Sequence, residues 1–239
     1  MSRIEWEEHK EDCCIVIPVY KTSIVFFEQA ALMQCVRVLG KKRDIYLVAP
    51  YDLDLTPYTS VCPEYKFKVK RLAKEFFAGF SGYNQMCKRW EFYDLFREYW
   101  YMLIYQLDCW VFDDNLDYFT SLGLDYIGAP WITIDTEKNT AVLSKCGNGG
   151  FSLRKIDKFV EVCKKHVDEA DNDEVAEDVF FSNNCADELK ISSVEVGREF
   201  SFEVGPSLLF KLNKEMLPMG CHKPYLFEFK TFWKDYIKF

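Results

Sequence analysis

Three segments in the first half of the chain consist almost wholly of apolar residues, without the alternation of a half-exposed strand. They are Cys13 to Tyr20, Asp44 to Pro50 and Tyr101 to Leu107. Runs of this kind, rich in β-branched residues, are typical of strands buried on both faces of a parallel sheet. Between the first two, Ile24 to Leu39 carries apolar residues at helical spacing. Thr22 or Ser23 can cap such a helix, and Gly40 can end it.

The order of strand, helix and strand, joined by short turns, predicts a parallel pair with a right-handed crossover. Further along, strands are predicted at Tyr65 to Leu72 and Asp125 to Trp131, a glycine-punctuated loop at Phe76 to Asn84, and helices at Gln85 to Tyr99, Leu116 to Leu122, Lys155 to Val167 and from near Val175. We predict one α/β domain over residues 1–239, with a mostly parallel central sheet flanked by helices. The first half of the domain has a nucleotide-binding-like pattern, and the second half is more irregular.

The charge balance narrows the classes of partner. The net charge is −8 and the isoelectric point about 5.1. Nucleic-acid backbones are bound by Lys and Arg patches, so the sequence argues against a general nucleic-acid binder. The ten cysteines form no CxxC pair, the N-terminus is polar and acidic and therefore no signal peptide, and no apolar run approaches the ~20 residues that span a membrane. These features predict a cytosolic protein with reduced thiols.

Asp108 stands at the tip of the apolar run that ends with Leu107. In open α/β sheets, ligands bind in the crevice beyond the carboxyl ends of the strands. A carboxylate there can hold Mg²⁺ or Mn²⁺ against a diphosphate, or accept a hydrogen bond from a sugar hydroxyl. The alternative is a structural aspartate that caps the following turn.

Three later segments carry further candidate chemistry, each with a plain structural alternative. Gly147 to Gly150 lets the backbone approach a ligand closely, or forms an ordinary turn. Glu177 and Asp178, which precede apolar rings, offer a general base for a sugar hydroxyl, or ordinary charge at a helix start. His222 can complete a metal shell and Lys223 can meet a phosphate, or the histidine is structural.

Taken in order, these segments resemble the landmarks of the GT-A glycosyltransferases, which bind a nucleotide-sugar on a Rossmann-like half. The matches are Gln106-Leu107-Asp108 for the DxD motif, Gly147 to Gly150 for the glycine-rich loop, Ala176-Glu177-Asp178 for the xED motif and His222 for the C-terminal histidine. The strings YQLDCWVF, GNGGFSLR, EDVFF and FSFE are similar to an uncharacterised glycosyltransferase-like family among bacterial surface-polysaccharide enzymes. The resemblance covers Cys13 to Lys223 and implies a GT-A fold, with residues 1–131 as the nucleotide-binding half and residues 132–239 as the acceptor and catalytic half.

The resemblance also implies the residues of a donor site. Asp108 would contact the metal–diphosphate or the ribose, Lys223 the diphosphate, and the loop after the first strand the nucleotide base. The full implied set is Val19, Tyr20, Lys21, Thr22, Gln106, Asp108, Gly149, Gly150 and Lys223. In catalysis, Asp178, with Glu177 as second choice, would deprotonate the acceptor hydroxyl.

One departure from the motif bears on the metal. The implied metal ligands are Asp108 and His222, with Mn²⁺ or Mg²⁺ as the ion. The first DxD position is Gln106, whose amide oxygen is a poorer ligand than a carboxylate; if the motif starts at Asp108 instead, the second position is Trp110. One carboxylate is missing in either alignment, so a metal requirement does not follow. Lys223, other cations or helix termini are the alternative means of neutralising a diphosphate.

The resulting hypothesis is a glycosyltransferase for polysaccharide biosynthesis. It would move a sugar from a nucleoside-diphosphate sugar to a hydroxyl of a glycan or lipid-linked glycan, with inversion favoured because a carboxylate base suits in-line attack. The alternative is a non-catalytic nucleotide- or glycan-binding module on the same fold. A dinucleotide oxidoreductase is disfavoured because no G-x-G-x-x-G turn follows the first strand. The aromatic and lysine-rich tail, Tyr225 to Phe239, either packs on the core or makes peripheral contact with the inner membrane face.

Overall fold

The computed structural model describes residues 10–135, 140–172, 174–226 and 231–238. The polar N-terminal residues 1–9, predicted not to be a signal peptide, lie outside these ranges. The strands are β1 Glu11–Pro18, β2 Ile45–Pro50, β3 Lys68–Leu72, β4 Tyr99–Tyr105, β5 Cys109–Val111, β6 Tyr126–Ile127, β7 Pro130–Asp135, β8 Thr140–Cys146, β9 Phe151–Lys155, β10 Ser201–Phe202 and β11 Gly220–His222. The α-helices are α1 Phe26–Leu39, α2 Thr56–Thr59, α3 Gly79–Lys88, α4 Trp90–Asp94, α5 Leu116–Ser121, α6 Ile156–Lys165, α7 Glu177–Val179, α8 Val194–Phe200 and α9 Pro206–Leu212.

The central sheet has the order β3-β2-β1-β4-β9-β6. Its first four strands are mutually parallel, with Ile15 opposite Ile45 and Cys13 opposite Tyr101, whereas β9 runs antiparallel to β4 and to β6. The predicted parallel pair and the mostly parallel sheet are therefore confirmed.

Both faces of this sheet are covered, which explains the uninterrupted apolar runs. Alternate residues of β1 enter two different cores: Ile15 and Ile17 belong to one, and Cys14 and Val16 to the other. All four side chains are fully buried. Because β1 and β4 are parallel and adjacent, the loops that follow them leave the sheet at the same edge, where a crevice forms.

A second, three-stranded sheet, β10-β11-β5, returns the distant C-terminal segment to this edge. The strand β11 pairs antiparallel with β5, so that His222 lies opposite Cys109. The backbone N–H of Lys223 then donates to the carbonyl of Asp108 at 2.8 Å. This pairing brings together residues more than a hundred positions apart in sequence.

Several predicted boundaries were wrong, each for a local reason. The expected helix Gln85 to Tyr99 is two helices, because Arg89 between them is extended (φ −95°, ψ 130°), and α3 begins inside the segment expected to be a loop. The expected strand Asp125 to Trp131 splits into β6 and β7, which belong to different sheets. Helix α1 is not capped by Thr22 or Ser23: Val25 is its N-cap, and the side chain of Glu28 accepts from the Val25 N–H.

The described part of the tail packs on the protein. Trp233 is fully buried and stacks on Phe112 at a centroid distance of 5.7 Å, while Phe232 and Ile237 join the same small core. These rings are therefore not available to a membrane in this conformation; residues 227–230 and 239 of the tail lie outside the described residues. Among the described residues, no helix combines the length and apolar character needed to cross a bilayer.

Candidate functional site

A cavity of about 410 Å³ opens at the edge of the sheet where β1 and β4 end. Its walls are mostly aromatic, with rings from Tyr20, Phe27, Tyr58, Phe77, Phe80 and Tyr225. Gln106 and Asp108 give its polar end, and Lys21 with Glu28 forms an ion pair in its wall. A cavity lined by aromatic rings together with a few polar and charged side chains suits an amphipathic ligand.

The loop after β1 is held in place by one side chain. The Tyr58 hydroxyl accepts from the backbone N–H of Lys21 at 3.0 Å and donates to the Lys21 carbonyl at 2.8 Å. Val19, Tyr20 and Lys21 line the cavity, as the sequence predicts for a donor-contacting loop, whereas Thr22 is exposed and does not line it.

Gln106 and Asp108 lie in the turn between β4 and β5 rather than within a strand. The Gln106 N–H donates to the carbonyl of Gly150 at 3.1 Å, which ties this turn to the glycine-rich loop. The Asp108 side chain is about one-third exposed and faces His222, with Oδ1 at 3.3 Å from Nε2. The structure therefore brings together Asp108 and His222, the two residues named as candidate metal ligands.

His222 lies at the centre of a polar cluster that also contains Gln106, Asp108, Asn148, Glu203 and Lys223. Its Nε2 lies 3.1 Å from Gln106 Oε1, and its Nδ1 lies 2.9 Å from Asn148 Oδ1 and 3.0 Å from Glu203 Oε1. Since the Gly150 N–H also donates to Asn148 Oδ1, the amide oxygen is the atom that faces the ring. Both ring nitrogens thus meet only oxygen acceptors, and an imidazolium, which donates from both, satisfies all of them.

Charge explains the protonation pattern of the cluster. Burial alone would lower the pKa of His222, but hydrogen bonds to Asp108 and Glu203 outweigh burial and raise it. Burial alone would raise the pKa of both carboxyls, but the hydrogen bond and charge of His222, together with Lys223, hold each below its usual value. The cluster is therefore a cation clamped between two anions, with Lys223 Nζ at 3.1 Å from Glu203.

The stability that this cluster supplies should depend on pH in a bell-shaped way when a chelator keeps metal away. The raised pKa of His222 contributes stability fully present below pH 6.5 and lost as pH rises through that raised pKa. The lowered pKa values of Asp108 and Glu203 contribute stability present above pH 4.5 and lost as pH falls through them. We expect wild type to exceed His222→Asn by about 1–3 kcal/mol between these limits, and by less outside them.

Urea unfolding across about pH 3 to pH 9 measures this difference, because that range extends on both sides of the ordinary pKa values of aspartate, glutamate and histidine. The control is His166→Asn, which removes a more exposed histidine bound to Glu188. A flat difference between wild type and His222→Asn across the whole range would contradict the clamped-cation description.

The glycine-rich loop sits between this cluster and the acidic motif. A Cβ at Gly150 would come within 2.2 Å of the His222 ring, and a Cβ at Gly149 within 2.0 Å of Glu177 Oε1. No side chain larger than hydrogen fits at either position without movement of its neighbour. Gly150 therefore lies against His222, and its neighbour Gly149 lies against Glu177.

Asp178 and Glu177 have different environments. Glu177 is buried and forms an ion pair with the fully buried Arg154, at 2.9 Å from Nη2. Asp178 is half-buried, and its Oδ1 accepts from the Val179 N–H at 2.8 Å. Burial raises the pKa of Asp178, although the N–H groups of Val179 and Gly149 and the charge of Arg154 oppose the rise. Burial raises the pKa of Glu177 as well, so the two carboxyls differ in access: Asp178 is the less buried and is not held in an ion pair with Arg154, which makes it the better proton acceptor of the two.

The donor set around Nε2 fits a hard divalent cation. Asp108, Cys109 and His222 offer ligand atoms within 4.8 Å of one another, and the Gln106 amide oxygen adds another. Cys109 does not belong to the set, because burial raises its pKa far above the usual value and the thiol donates to the Gly150 carbonyl. Glu203 on Nδ1 would orient the imidazole from behind, as carboxylates do at histidine-ligated metals.

The sequence analysis did not single out two side chains of the candidate site. Glu203, which binds both His222 and Lys223, lies in the quoted string FSFE, but nothing in its spacing singled it out. Arg154 lies in GNGGFSLR at an alternating polar position that would ordinarily be solvent-exposed. The cavity-lining residues do not include Asp178 or Glu177, which join the site through the glycine-rich loop.

Solved structures of glycosyltransferases share this architecture. Core-mannan synthase A from Aspergillus fumigatus, in its Mn/GDP form, superposes with a TM-score of 0.56 at 10% identity, over 78% of this chain and 73% of that one. Mouse xyloside xylosyltransferase 1 gives 0.56 at 12% identity, over 89% and 97%. Galactosyltransferase LgtC, bound to donor and acceptor sugar analogs, gives 0.55 at 12% identity, over 87% and 86%. At these identities the likeness shows the fold, which is GT-A, as the sequence predicted.

Sequence comparison gives the family. No curated protein matches the chain. Residues 66–222, well over half of the chain, match the family model described as "Protein of unknown function (DUF5672)", and the matched range contains Gln106, Asp108, Asp178 and His222. The chain therefore belongs to this family, on a GT-A glycosyltransferase fold.

Proposed function

We propose that the protein is a glycosyltransferase that moves a sugar from a nucleoside-diphosphate sugar to a hydroxyl of a glycan or lipid-linked glycan. The observation that carries this proposal is the contact of one loop, Gly149-Gly150, with both His222 and Glu177. It joins the cluster in which His222 and Lys223 are paired with Asp108 and Glu203, and whose cations would face a diphosphate, to a carboxylate motif suited to proton removal. The proposal also assigns nucleotide binding to residues 1–131, and acceptor binding and catalysis to residues 132–239.

The donor would lie along the cavity, from the loop after β1 to the turn at Asp108. Tyr20 and its aromatic neighbours offer stacking faces for a base. At the polar end, Lys223 and the His222 imidazolium bring positive charge toward the diphosphate, while Asp108 can accept from a ribose hydroxyl. A Mn²⁺ or Mg²⁺ held by Asp108, His222 and Gln106 would supply this positive charge in place of the imidazolium, since histidine ligates a metal only as a neutral imidazole.

The chemical step needs a base, and Asp178 is the proposed one. The acceptor oxygen forms a bond to the anomeric carbon while its proton passes to the Asp178 carboxylate. The bond from that carbon to the diphosphate oxygen breaks, and the nucleoside diphosphate leaves with the electron pair. Attack opposite the leaving group inverts the anomeric configuration.

A second candidate function is a nucleotide- or glycan-binding module without turnover, which the loss of the first motif carboxylate to Gln106 favours. Calorimetry with UDP-, GDP- and CDP-sugars, with and without Mn²⁺, combined with turnover over the same panel, separates the two. Transfer or donor hydrolysis supports the transferase. Tight binding without turnover for any donor or acceptor would support the module instead.

The metal requirement can be tested by restoring the missing carboxylate. We expect Gln106→Asp to tighten Mn²⁺ binding on the order of tenfold, because added ligand charge raises the affinity of an oxygen site. Mn²⁺ titration by calorimetry in the presence of a nucleoside diphosphate measures the change. Asn115→Asp, which adds the same charge at an exposed position, is the control. Equal effects of the two variants would show that Gln106 is not at the metal position.

The proposal includes peripheral contact with a membrane, where a lipid-linked acceptor would lie. The described tail rings Phe232 and Trp233 are buried, so contact with a lipid-linked acceptor at the inner membrane face would have to use other side chains. Liposome flotation of the full chain, compared with a chain lacking the tail, tests this point.

A further inference from the structure

We propose that Arg154 and Glu177 form a buried positioning pair that fixes the carboxylate of Asp178 relative to the glycine-rich loop. This inference rests on the proposed function, since it concerns the base of the transfer reaction. Neither residue touches the reacting atoms in this role, because both are buried beneath the loop, whereas Asp178 is only half-buried.

The pair is anchored from several sides. Arg154 Nη2 lies 3.0 Å from Glu177 Oε1 and 2.9 Å from Oε2, and Arg154 Nη1 donates to the Tyr93 hydroxyl at 2.9 Å. Its Nε donates to Ser152 Oγ at 3.0 Å. The guanidinium also lies over three aromatic rings, 5.4 to 5.8 Å from their centroids: Tyr126, Phe159 and Phe181. A planar group held on its edge and faces cannot swing toward a substrate.

The same guanidinium reaches the glycine-rich loop. Arg154 Nη2 donates to the Gly149 carbonyl at 3.4 Å, and Ser152 Oγ donates to that carbonyl at 2.8 Å. A Cβ at Gly149 would meet Glu177 Oε1 at 2.0 Å and Arg154 Nη2 at 3.2 Å, so the loop rests directly on the ion pair. The position of Gly149 is therefore set by Arg154 and Glu177 together.

The pair also sets the direction of Asp178. Asp178 follows Glu177 in the short helix α7, whose first N–H donates to Asn84 Oδ1 at 3.0 Å. Helix α7 runs directly into a π-helical segment, Phe180–Asn184, so Asp178 lies in the first turn of a longer helical stretch. The start of that stretch is held by Asn84 and by the ion pair of Glu177 with Arg154. Because Asp178 is the next residue after Glu177, fixing Glu177 limits where the half-buried Asp178 carboxylate can lie.

The pair adds a charge effect to this geometry. The positive charge of Arg154 favours the ionised form of Asp178, and the negative charge of Glu203 disfavours it. The charge of Asp178 raises the pKa of Glu177, and because such an interaction is mutual, Glu177 also disfavours ionisation of Asp178. Removing one partner therefore changes the proton affinity of Asp178 in a direction that depends on which partner is removed. A role limited to holding the fold together makes no such prediction.

Two single variants and one double variant test the pair. In Arg154→Met we expect the pKa of Asp178 to rise, and in Glu177→Gln we expect it to fall. The acidic limb of kcat against pH should move to higher pH in the first and to lower pH in the second. Both should lose about tenfold to a hundredfold in kcat with a smaller change in donor KM, since displacement of a reacting group by about 1 Å has an effect of this size.

The double variant Arg154→Met/Glu177→Met separates loss of the pair from loss of stability, because it leaves no unpaired buried charge. It should recover the wild-type melting temperature more fully than either single variant but keep the lowered kcat. Arg43→Met is the matched control. Arg43 is mostly buried, pairs with Asp12 and Asp117, and precedes β2 at the opposite edge of the sheet. It should lower the melting temperature without moving the pH profile.

Carbon-13 NMR titration of the Asp178 carboxyl in the free protein measures its pKa without turnover, so the two levels of the proposal can fail separately. Absence of transfer by wild type would overturn the proposed function. Shifts in opposite directions in the two single variants support the positioning pair. Shifts in the same direction, no shift, an equal shift in Arg43→Met, or a double variant with wild-type kcat would each overturn it.

Discussion

Replacing Asp178 with Asn should reduce sugar transfer by about 10²–10⁴-fold while donor binding stays near wild type. General bases contribute factors of this size, and the amide cannot accept the hydroxyl proton at neutral pH. The substitution is nearly isosteric, and the amide oxygen can still accept from the Val179 N–H that Asp178 Oδ1 binds at 2.8 Å. Steady-state transfer with the preferred donor, and calorimetry with the nucleoside diphosphate, measure the two quantities.

The matched control is Asp171→Asn in the same acidic stretch. The Asp171 side chain is 70% exposed and pairs with Arg89, so its loss should leave transfer near wild type. Undiminished transfer by Asp178→Asn would remove the base assignment. A parallel loss of nucleotide binding would instead assign Asp178 to the donor site.

Gly150→Ala should remove donor binding and transfer together. The added Cβ would lie within 2.2 to 2.6 Å of three ring atoms of His222. This ring cannot move easily, because it is 3% exposed and both nitrogens are bound to oxygen atoms. We expect a stability loss of about 1–3 kcal/mol from overpacking, and a loss in transfer of at least about a hundredfold from displacement of the cluster.

Gly123→Ala separates a steric effect at the site from a general effect of alanine. Gly123 has φ +65°, and a Cβ there would meet nothing within 4 Å, so its replacement costs about 1–2 kcal/mol through backbone strain alone. Calorimetry with a nucleoside diphosphate and thermal melting measure both variants. Normal nucleotide binding by Gly150→Ala would show that the His222 cluster is not part of the donor site.

The sequence predicted the parts of the fold that depend on local pattern. The apolar runs at β1, β2 and β4 mark strands buried on both faces, and those faces are indeed covered by two separate cores. The same runs predict the edge of the sheet at which the carboxyl ends of the parallel strands meet, and therefore the crevice beside Asp108. The glycines of Gly147 to Gly150 predict either a loop that approaches another group closely or an ordinary turn, and the structure shows close approach at Gly149 and Gly150.

The unpredicted parts depend on partners that local pattern does not reveal. Arg154 alternates with Phe151 and Leu153 in β9, a spacing that normally places a charge in solvent, yet it is fully buried because Tyr93 and Glu177 arrive from elsewhere in the chain. Glu203 gains its role only when β11 pairs with β5 and brings His222 to it. The split of the expected helix at Arg89 likewise reflects a single extended residue.

The hold of Tyr58 on the loop after β1 has a consequence for affinity. If a loop becomes ordered only when its ligand binds, the binding free energy is weakened by about 1–2 kcal/mol for each residue whose backbone becomes fixed. Here one phenol ring satisfies both the N–H and the carbonyl of Lys21, so that entropy is lost during folding rather than during binding. The loop after β1 is therefore ordered before a ligand enters the cavity, and the affinity of the ligand is not reduced by the entropy of ordering that loop.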